Sequence, residues 1–268
     1  ISSHLVAVGT GSMELGATSV TEVGLREREI CLEFNQAVTG LRMNNAWIRP
    51  GGTATDLPDN GMDLLRDLIA RMEDNLHELS EFTLQNPIFK SRMKGIARME
   101  LAQCMALGIT GPTLRATGLP WDLRKTNPYI GYEDYEFDVP TADTADCYGR
   151  FVIRLEEMNQ SVRILKQVVK KLEDTQGQRH MVDNPHIAWP AELAIGPDGQ
   201  GNSHEHIKHI MGESMEALIH HFKVITEGFK VPAGEVYQSI EGVAGELGCH
   251  LVSDGGVRPY RAHIRDTG

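Results

Sequence analysis

The feature that most constrains the fold of this chain is a long apolar stripe between positions 148 and 172. Its apolar side chains recur in steps of three and four residues, and this spacing places them on one face of an α-helix. A repeat sustained this far predicts a long helix that packs along the seam of a bundle. The stripe consists of Tyr148, Phe151, Leu155, Met158, Val162, Leu165, Val169 and Leu172.

A second long helix is predicted over positions 61–85, because its apolar residues also follow helical spacing. That stripe consists of Leu64, Leu65, Leu68, Ile69, Met72, Leu76 and Leu79. Further helices are predicted from Ile1 onward and over 25–38, 91–107 and 203–227. The stretches 108–120 and 176–202 are rich in Gly and Pro and are predicted to form turns and loops.

Near the C-terminus the pattern changes from helical spacing to partial alternation. Over 234–264, apolar residues alternate around Gly-containing turns, which predicts two or three short strands. The predicted fold class is therefore mainly α: a long-helix bundle with a small β element near the C-terminus. We expect residues 1–268 to form a single helical-bundle domain.

Charge and cysteine content exclude several classes of protein. The chain has 26 Lys and Arg against 37 Asp and Glu, a net charge of -11, which argues against general binding to nucleic acid or anionic membranes. No apolar run approaches the roughly 20 residues that span a bilayer. The four cysteines form no CxxC pair, so we expect no zinc site, no iron–sulfur cluster held by this chain alone and no disulfide framework.

The ends of the sequence are unusual. The first residue is Ile1 rather than Met, and the chain stops at Gly268 just after a strand-like stretch. These two observations lead us to expect a fragment of a longer chain.

The first predicted helix contains three glycines, Gly9, Gly11 and Gly16. Each weakens a helix by roughly 1 kcal/mol relative to Ala, and a glycine inside a helix allows another group to approach closely. That group is either a second helix or a ligand, and the spacing alone does not decide between them. Val6, Thr10 and Glu14 recur at i, i+4 and therefore share one face of this helix.

Two short motifs suggest chemistry but lack essential parts of the patterns they resemble. Gly9-Thr10-Gly11 resembles a nucleotide-binding loop, yet no strand precedes it and no Lys-Ser/Thr pair follows. The histidines around His204 resemble a metalloprotease helix, but the second ligand of the HExxH pattern would fall on Lys208. No ligand set is fixed by the sequence, so we predict no metal site and regard these histidines as surface residues.

The assembled segments, taken in order, closely resemble the D-subunit family of respiratory complex I, the proton-pumping NADH:quinone oxidoreductase. The resemblance covers essentially the whole chain. Its segments include His4-Leu5, Glu14-Leu15-Gly16-Ala17, Arg26-Glu27-Arg28-Glu29, Arg49-Pro50-Gly51-Gly52, Leu114-Arg115-Ala116-Thr117-Gly118, Trp121-Asp122-Leu123-Arg124-Lys125, Glu156-Glu157-Met158, Glu246-Leu247-Gly248 and Ser253-Asp254-Gly255-Gly256-Val257-Arg258-Pro259-Tyr260-Arg261.

This resemblance implies a helical bundle related to the large subunit of nickel–iron hydrogenases, with an N-terminal β region that is missing here. Hydrogenases hold their metal with two CxxC pairs, which this sequence lacks. The implied role is that of a peripheral-arm subunit that helps form the quinone-reduction cavity. Quinone is the implied substrate, and the terminal iron–sulfur cluster belongs to an adjacent small subunit.

Other implied partners are further complex I subunits, including the membrane subunit at the quinone channel. The implied location is the cytoplasmic side of the cell membrane, and no nucleic-acid partner is expected.

The resemblance also assigns roles to individual residues. Glu14 aligns with an acidic residue, usually Asp, that pairs with the histidine binding the quinone head group. That histidine and a headgroup tyrosine are expected upstream of residue 1. Val6 and Thr10 align with cavity-lining positions of the same helix. A carboxylate paired with histidine holds an imidazolium ready to donate a proton to reduced quinone.

Four further positions are assigned with less detail. Asn44 stands where many relatives carry a histidine near the terminal cluster, and an amide cannot titrate. Losing a cation there implies a lower cluster potential, which suits a low-potential quinone such as menaquinone. Arg49 is either a cationic neighbour of the cluster or a donor to loop carbonyls. Arg258 and Arg261 are expected to pair with Asp254 or with a partner chain.

The sequence leaves two alternatives open. One is a scaffold whose bundle mainly docks other subunits. The other is a related complex whose electron donor is a ferredoxin, a deazaflavin or a hydrogenase, since this subunit never touches the primary donor.

Overall fold

The structure is a computed structural model, and it describes residues 1–49, 51–182, 208, 212, 215–228 and 230–267. Four long helices form its main core. They are α1 (Ser2–Glu14), α2 (Thr18–Thr39), α3 (Gly61–Thr83) and α8 (Cys147–Asp174). The two predicted long helices are therefore confirmed as α3 and α8.

The core of the bundle lies where these four helices face one another. Both predicted stripes contribute, and Leu68, Met72 and Leu79 of α3 meet Phe151, Leu155 and Met158 of α8 in one apolar cluster. Leu5 and Val8 extend the same cluster onto α1. The helices form because their apolar positions repeat at helical spacing, and burial of that face stabilises them together.

Helices α1 and α2 approach closely through glycines. A Cβ atom on Gly24 would lie 3.2 Å from the carbonyl oxygen of Leu5 and 3.5 Å from the Cα of Gly9. The hydroxyl of Thr21 donates a 2.8 Å hydrogen bond to the Gly9 carbonyl across this contact. For Gly9, the close neighbour is therefore another helix, while Gly11 has open space where its Cβ would be.

The prediction of one continuous helix over 91–107 is wrong, because the middle of this range is not helical. The structure has two short helices, α4 (Pro87–Met93) and α5 (Leu101–Leu107), joined by a non-helical stretch. Gly95 and Ala97 both have positive φ there, at 74° and 48°. The stretch is held to the start of α8, where Asp146 accepts the N–H of Gly95 at 2.7 Å. This tertiary contact outweighs the local helical pattern.

The remaining helices of the described residues are short or lie late in the chain. They are α6 (Pro112–Arg115), α7 (Leu123–Thr126) and α9 (Met215–Glu227), with a 3₁₀ turn at Tyr132–Asp134. Helix α6 is one helical turn inside the predicted turn region, and α9 confirms the end of the helix predicted over 203–227. The predicted loop from position 183 onward and His204 lie outside the described residues.

Two small antiparallel sheets complete the described part of the fold. Strands β1 (Ile48–Arg49) and β2 (Gly52–Thr53) form a short hairpin. Strands β3 (Gly234–Glu241), β4 (Glu246–Ser253) and β5 (Arg261–Arg265) pair in the order β3-β4-β5. The β element predicted over 234–264 is therefore confirmed, and the described part of the chain is mainly α.

Candidate functional site

The two sides of α1 differ in their surroundings. One side is packed against the bundle and buries His4, Leu5, Val8, Gly9 and Ser12. The opposite side leaves Val6 half-buried and Thr10 and Glu14 exposed. The structure thus brings the three predicted cavity residues together on one side of α1, the open face, which is exposed at Thr10 and Glu14 and half-buried at Val6.

Within this open face, the polar groups have different freedom. The hydroxyl of Thr10 donates a 2.7 Å hydrogen bond to the carbonyl of Val6, one turn earlier in the same helix. Among the described residues, the carboxylate of Glu14 has no hydrogen-bond or ion-pair partner. Arg92 of α4 donates to the Leu15 carbonyl at 2.5 Å, which places a guanidinium near the C-terminal end of α1. Glu14 is therefore available to a group from elsewhere.

A buried chain of charged groups begins on the other side of α1. The Nε2 of His4 lies 2.8 Å from one carboxylate oxygen of Glu157 on α8. The other oxygen of Glu157 accepts a 2.7 Å hydrogen bond from Nε of Arg115 on α6. The same guanidinium lies 2.8 Å from Glu241, at the end of β3. We call His4, Glu157, Arg115 and Glu241 the buried ion chain; it links α1, α6, α8 and the C-terminal sheet.

Neighbouring groups satisfy most of the other polar atoms around this ion chain. Arg115 also donates to the Trp121 carbonyl at 3.0 Å, and Glu241 accepts the N–H of Leu123 at 3.1 Å. Asp122, which is fully buried, lies 2.6 Å from the guanidinium of Arg124. The exception is the Nδ1 atom of His4, which is buried without a hydrogen-bond partner among the residues that the structure describes.

The pKa values of the groups in the ion chain shift for different reasons. Burial is the main cause that lowers the pKa of His4, in spite of the neighbouring Glu157 carboxylate. Burial alone would raise the pKa of Glu157, but the hydrogen bond from His4 and the charge of Arg115 outweigh it and lower that pKa. Burial raises the pKa of Glu241. A neutral His4 beside an ionised Glu157 donates through Nε2, so its free Nδ1 is the acceptor nitrogen.

The sequence patterns did not single out these buried residues. Arg115 and Glu157 fall within the resemblance segments, but nothing in their spacing assigned them a role. One signal was present for Glu157, because it lies between Leu155 and Met158 of the α8 stripe and so at the edge of the buried face. Glu241 ends a strand, and only the tertiary fold brings it to Arg115.

The predicted cluster-side residues lie in and beside the β1–β2 hairpin. Asn44 is exposed and has a positive φ of 56°, a conformation in which Asn is enriched. Arg49 is half-buried, and its Nε donates to the Ala46 carbonyl at 3.0 Å. This bond matches the interpretation of Arg49 as a donor to loop carbonyls, and it leaves the terminal nitrogens of the guanidinium outside this contact.

The C-terminal arginines are not brought to Asp254. Arg258 and Arg261 are both exposed, and the structure shows no ion pair of either with a described residue. Asp254 instead accepts the N–H of Gly256 at 2.9 Å, because the turn after β4 folds the carboxylate back onto its own backbone. The expected pairing with Asp254 is therefore not found, and pairing with a partner chain stays a prediction.

The described residues contain neither a cluster of metal ligands nor a membrane-spanning helix. These residues contain no group of three or more His, Cys, Asp or Glu side chains able to hold a metal ion. Cys31 and Cys104 are buried and Cys147 and Cys249 are partly buried, all four as free thiols. None of the described helices is long and apolar enough to cross a membrane.

Comparison with known proteins identifies the family. Residues 14–268 match the family model described as respiratory-chain NADH dehydrogenase, 49 Kd subunit. The chain belongs to this family. The D subunit of the NADH-quinone oxidoreductase of Cutibacterium acnes is 77% identical over 268 residues, which are 100% of this chain and 62% of that protein.

Two further relatives agree. The corresponding D subunit of a Nocardioides species is 58% identical over 266 residues, covering 99% of this chain and 60% of its own length. One of the D subunits of Streptomyces coelicolor, numbered 2, is 59% identical over 266 residues, with the same coverage of 99% and 60%. The chain therefore spans about 60% of the length of the relatives it matches.

Proposed function

We propose that this chain is a peripheral-arm subunit of a proton-translocating NADH:quinone oxidoreductase, and that α1 lines the cavity where quinone is reduced. The observation that carries this proposal is the open face of α1. Val6, Thr10 and Glu14 lie on one face, which is exposed at Thr10 and Glu14 and half-buried at Val6, while the opposite face is fixed by packing and by the buried ion chain. The relatives named above are D subunits of NADH-quinone oxidoreductases.

Reduction of quinone to quinol consumes two electrons and two protons. In this proposal, two electrons come one at a time from an iron–sulfur cluster held by a neighbouring subunit. One proton comes from the headgroup histidine and the other from the headgroup tyrosine, both outside these 268 residues. The exposed carboxylate of Glu14 pairs with that histidine and stabilises its charged form. Val6 supplies an apolar contact for the quinone on the same face, two turns of helix from Glu14.

The position of this site in the complex is part of the same proposal. The subunit sits on the cytoplasmic side of the membrane, beside the small subunit with the cluster and the membrane subunit at the quinone channel. Its bundle is related to that of the nickel–iron hydrogenase large subunit. Arg258 and Arg261, both exposed near the C-terminal sheet, contact a partner chain.

Labelling of the assembled complex with a photoreactive quinone tests the placement of the cavity. We expect labels on the peptide that contains Val6, Thr10 and Glu14, and we expect excess unlabelled quinone to suppress them. Glu22, exposed on the neighbouring helix α2, serves as the control position. Labels confined to other subunits, with none on α1, would support the docking-scaffold alternative instead.

The exposed loop at Asn44 carries the proposal about the neighbouring cluster. Since Asn44 cannot titrate, the cluster potential should depend little on pH, and it should be low enough to suit menaquinone. The Asn44→His variant should introduce a pH dependence through the pKa range of histidine, while Asn44→Asp serves as a control that also tolerates positive φ. Redox titration of the cluster at several pH values measures this. A strong pH dependence in the unsubstituted protein would contradict the proposal.

A further inference from the structure

The segment over 86–108 differs in charge from the rest of this acidic chain. It contains four cations, Lys90, Arg92, Lys94 and Arg98, and a single acidic residue, Glu100. Its net charge is thus 4 − 1 = +3, within a chain whose net charge is -11. We call residues 86–108 the basic segment.

Most of these cations have no carboxylate partner among the described residues. Only Arg98 has one there, and its Nε lies 2.7 Å from Glu100. Lys94 lies over the ring of Tyr148 at 5.1 Å, and Arg92 donates to a backbone carbonyl. By contrast, Arg66 and Lys171 on the outer surface of the bundle each contact a carboxylate of another element. Three of the four cations of the basic segment, Lys90, Arg92 and Lys94, therefore carry positive charge that no described carboxylate compensates.

The same segment exposes large apolar side chains. Ile88 is 70% exposed, Ile96 55%, Met105 64% and Leu107 70%. Apolar and basic side chains together, with Arg and Met prominent, are typical of surfaces that bind other proteins.

The segment is also held in a defined shape. The carbonyl of Ile96 accepts the N–H of Cys147 at 3.1 Å, and the N–H of Met99 donates to Ala145 at 2.8 Å. Ala97 has a positive φ of 48°, a conformation that costs a non-glycine residue energy and persists only where the surroundings fix it. A surface fixed before binding loses less conformational entropy when a partner docks.

We infer that the basic segment is a docking surface for an acidic, partly apolar surface of another protein chain. This inference rests on the proposed function in one respect, because both require this chain to be part of a larger complex. Charge complementarity selects the partner, because a surface of net charge +3 is matched by carboxylates. Since Arg92 binds the end of α1 at Leu15, a chain docked here borders the open face that carries Glu14.

The structure favours a protein over a lipid surface as the occupant. Membrane-surface helices lay one continuous apolar face along the bilayer, whereas α4 and α5 have seven residues each and are separated by a non-helical stretch. The chain as a whole, at -11, is also repelled by an anionic membrane.

Carbodiimide cross-linking of the native complex tests this inference without a variant. The reagent condenses a lysine amine and a carboxylate in contact into an amide. We expect Lys90 or Lys94 to be joined to Asp or Glu of another chain. Lys171 provides the internal control, since it should be joined to Asp134 of the same chain. The inference would be overturned if Lys94 reacted freely with acetic anhydride in the assembled complex and no interchain link formed from the basic segment.

Charge reversal at Lys94, compared with control substitutions, provides a second test in cells. Lys94→Glu should lower the amount of this chain recovered with the complex by about tenfold or more, because like charges then meet across the interface. Lys94→Arg should retain normal recovery, and Lys170→Glu, an equal charge change at an exposed site on α8, should leave it unchanged. Equal recovery of Lys94→Glu and Lys170→Glu would contradict the inference.

Binding of the complex to lipid vesicles tests the alternative that a lipid surface occupies the basic segment. Vesicles of equal parts phosphatidylglycerol and phosphatidylcholine should not bind the complex through this segment. Vesicle binding that Lys94→Glu abolishes, with recovery in the complex unaffected, would overturn docking to a protein. Recovery is scored separately from quinone reduction, so a Glu14→Gln variant with unchanged quinone turnover would contradict the proposed function and leave this inference intact.

Discussion

The two faces of α1 are built from opposite chemistry. The inner face carries His4, whose ring is held by Glu157, together with Gly9, which lets α2 approach. The outer face carries Thr10 and Glu14, exposed and without a partner on another element among the described residues. A helix fixed firmly on one side can therefore hold side chains on its other side in a defined position for a group supplied from outside.

The largest effect should come from breaking the buried ion chain. Glu157→Ala leaves Arg115 and His4 without their shared carboxylate, and we expect it to lower the free energy of unfolding by about 3–5 kcal/mol. Urea denaturation of the purified protein measures this change. Glu156→Ala is the matched control, because the neighbouring carboxylate is exposed and its removal should change stability by no more than about 0.5 kcal/mol. Equal effects of the two substitutions would show that the inner face is not fixed by these charges.

A smaller effect should follow from filling the glycine contact. In Gly24→Ala the new Cβ meets backbone atoms of Leu5 and Gly9, which cannot move aside cheaply, so we expect a loss of about 1–2 kcal/mol. Gly11→Ala places its Cβ in open space within α1 and should gain up to about 1 kcal/mol through helix propensity. Thermal denaturation of both variants should therefore shift in opposite directions. Stabilisation by both would mean that α1 and α2 are not in close contact.

The smallest effect concerns pH. Burial lowers the pKa of His4 below its ordinary value of 6.5. The unfolded chain then binds more protons than the folded one as pH falls below about 6.5, so stability should fall as the pH is lowered through this range. The slope contributed by one group is at most about 1.4 kcal/mol per pH unit. His4→Gln should flatten this dependence, whereas His77→Gln, at an exposed site, should not. Identical pH profiles for all three proteins would exclude a buried neutral His4.

The local spacing of apolar residues along the sequence predicted much of this fold. The stripes of α3 and α8 and the alternation over the C-terminal strands are periodic over many residues, so they identify their elements without tertiary information. The break near Gly95 was missed because it arises from the distant carboxylate of Asp146. The i, i+4 spacing of Val6, Thr10 and Glu14 predicted their common face, but it did not show which side of α1 is packed.

The buried ion chain could not be predicted from local spacing either, because its members are far apart in the sequence. Its members come from α1, α6, α8 and β3. Only the tertiary fold brings His4 and Glu241 into one chain of ion pairs. A buried charge also looks like any surface charge until its burial is known. Residue roles on the open face came from family resemblance, since the face itself has no partner group among the described residues.

The most direct test is quinone reduction by the assembled complex carrying Glu14→Gln. We predict a fall in quinone turnover of about a hundredfold or more, because proton donation depends on a charged carboxylate partner, with assembly and NADH:ferricyanide reduction unchanged. Glu22→Gln, at an exposed position of α2, should retain full turnover. Unchanged quinone turnover in Glu14→Gln would contradict the central claim that the open face of α1 serves quinone chemistry.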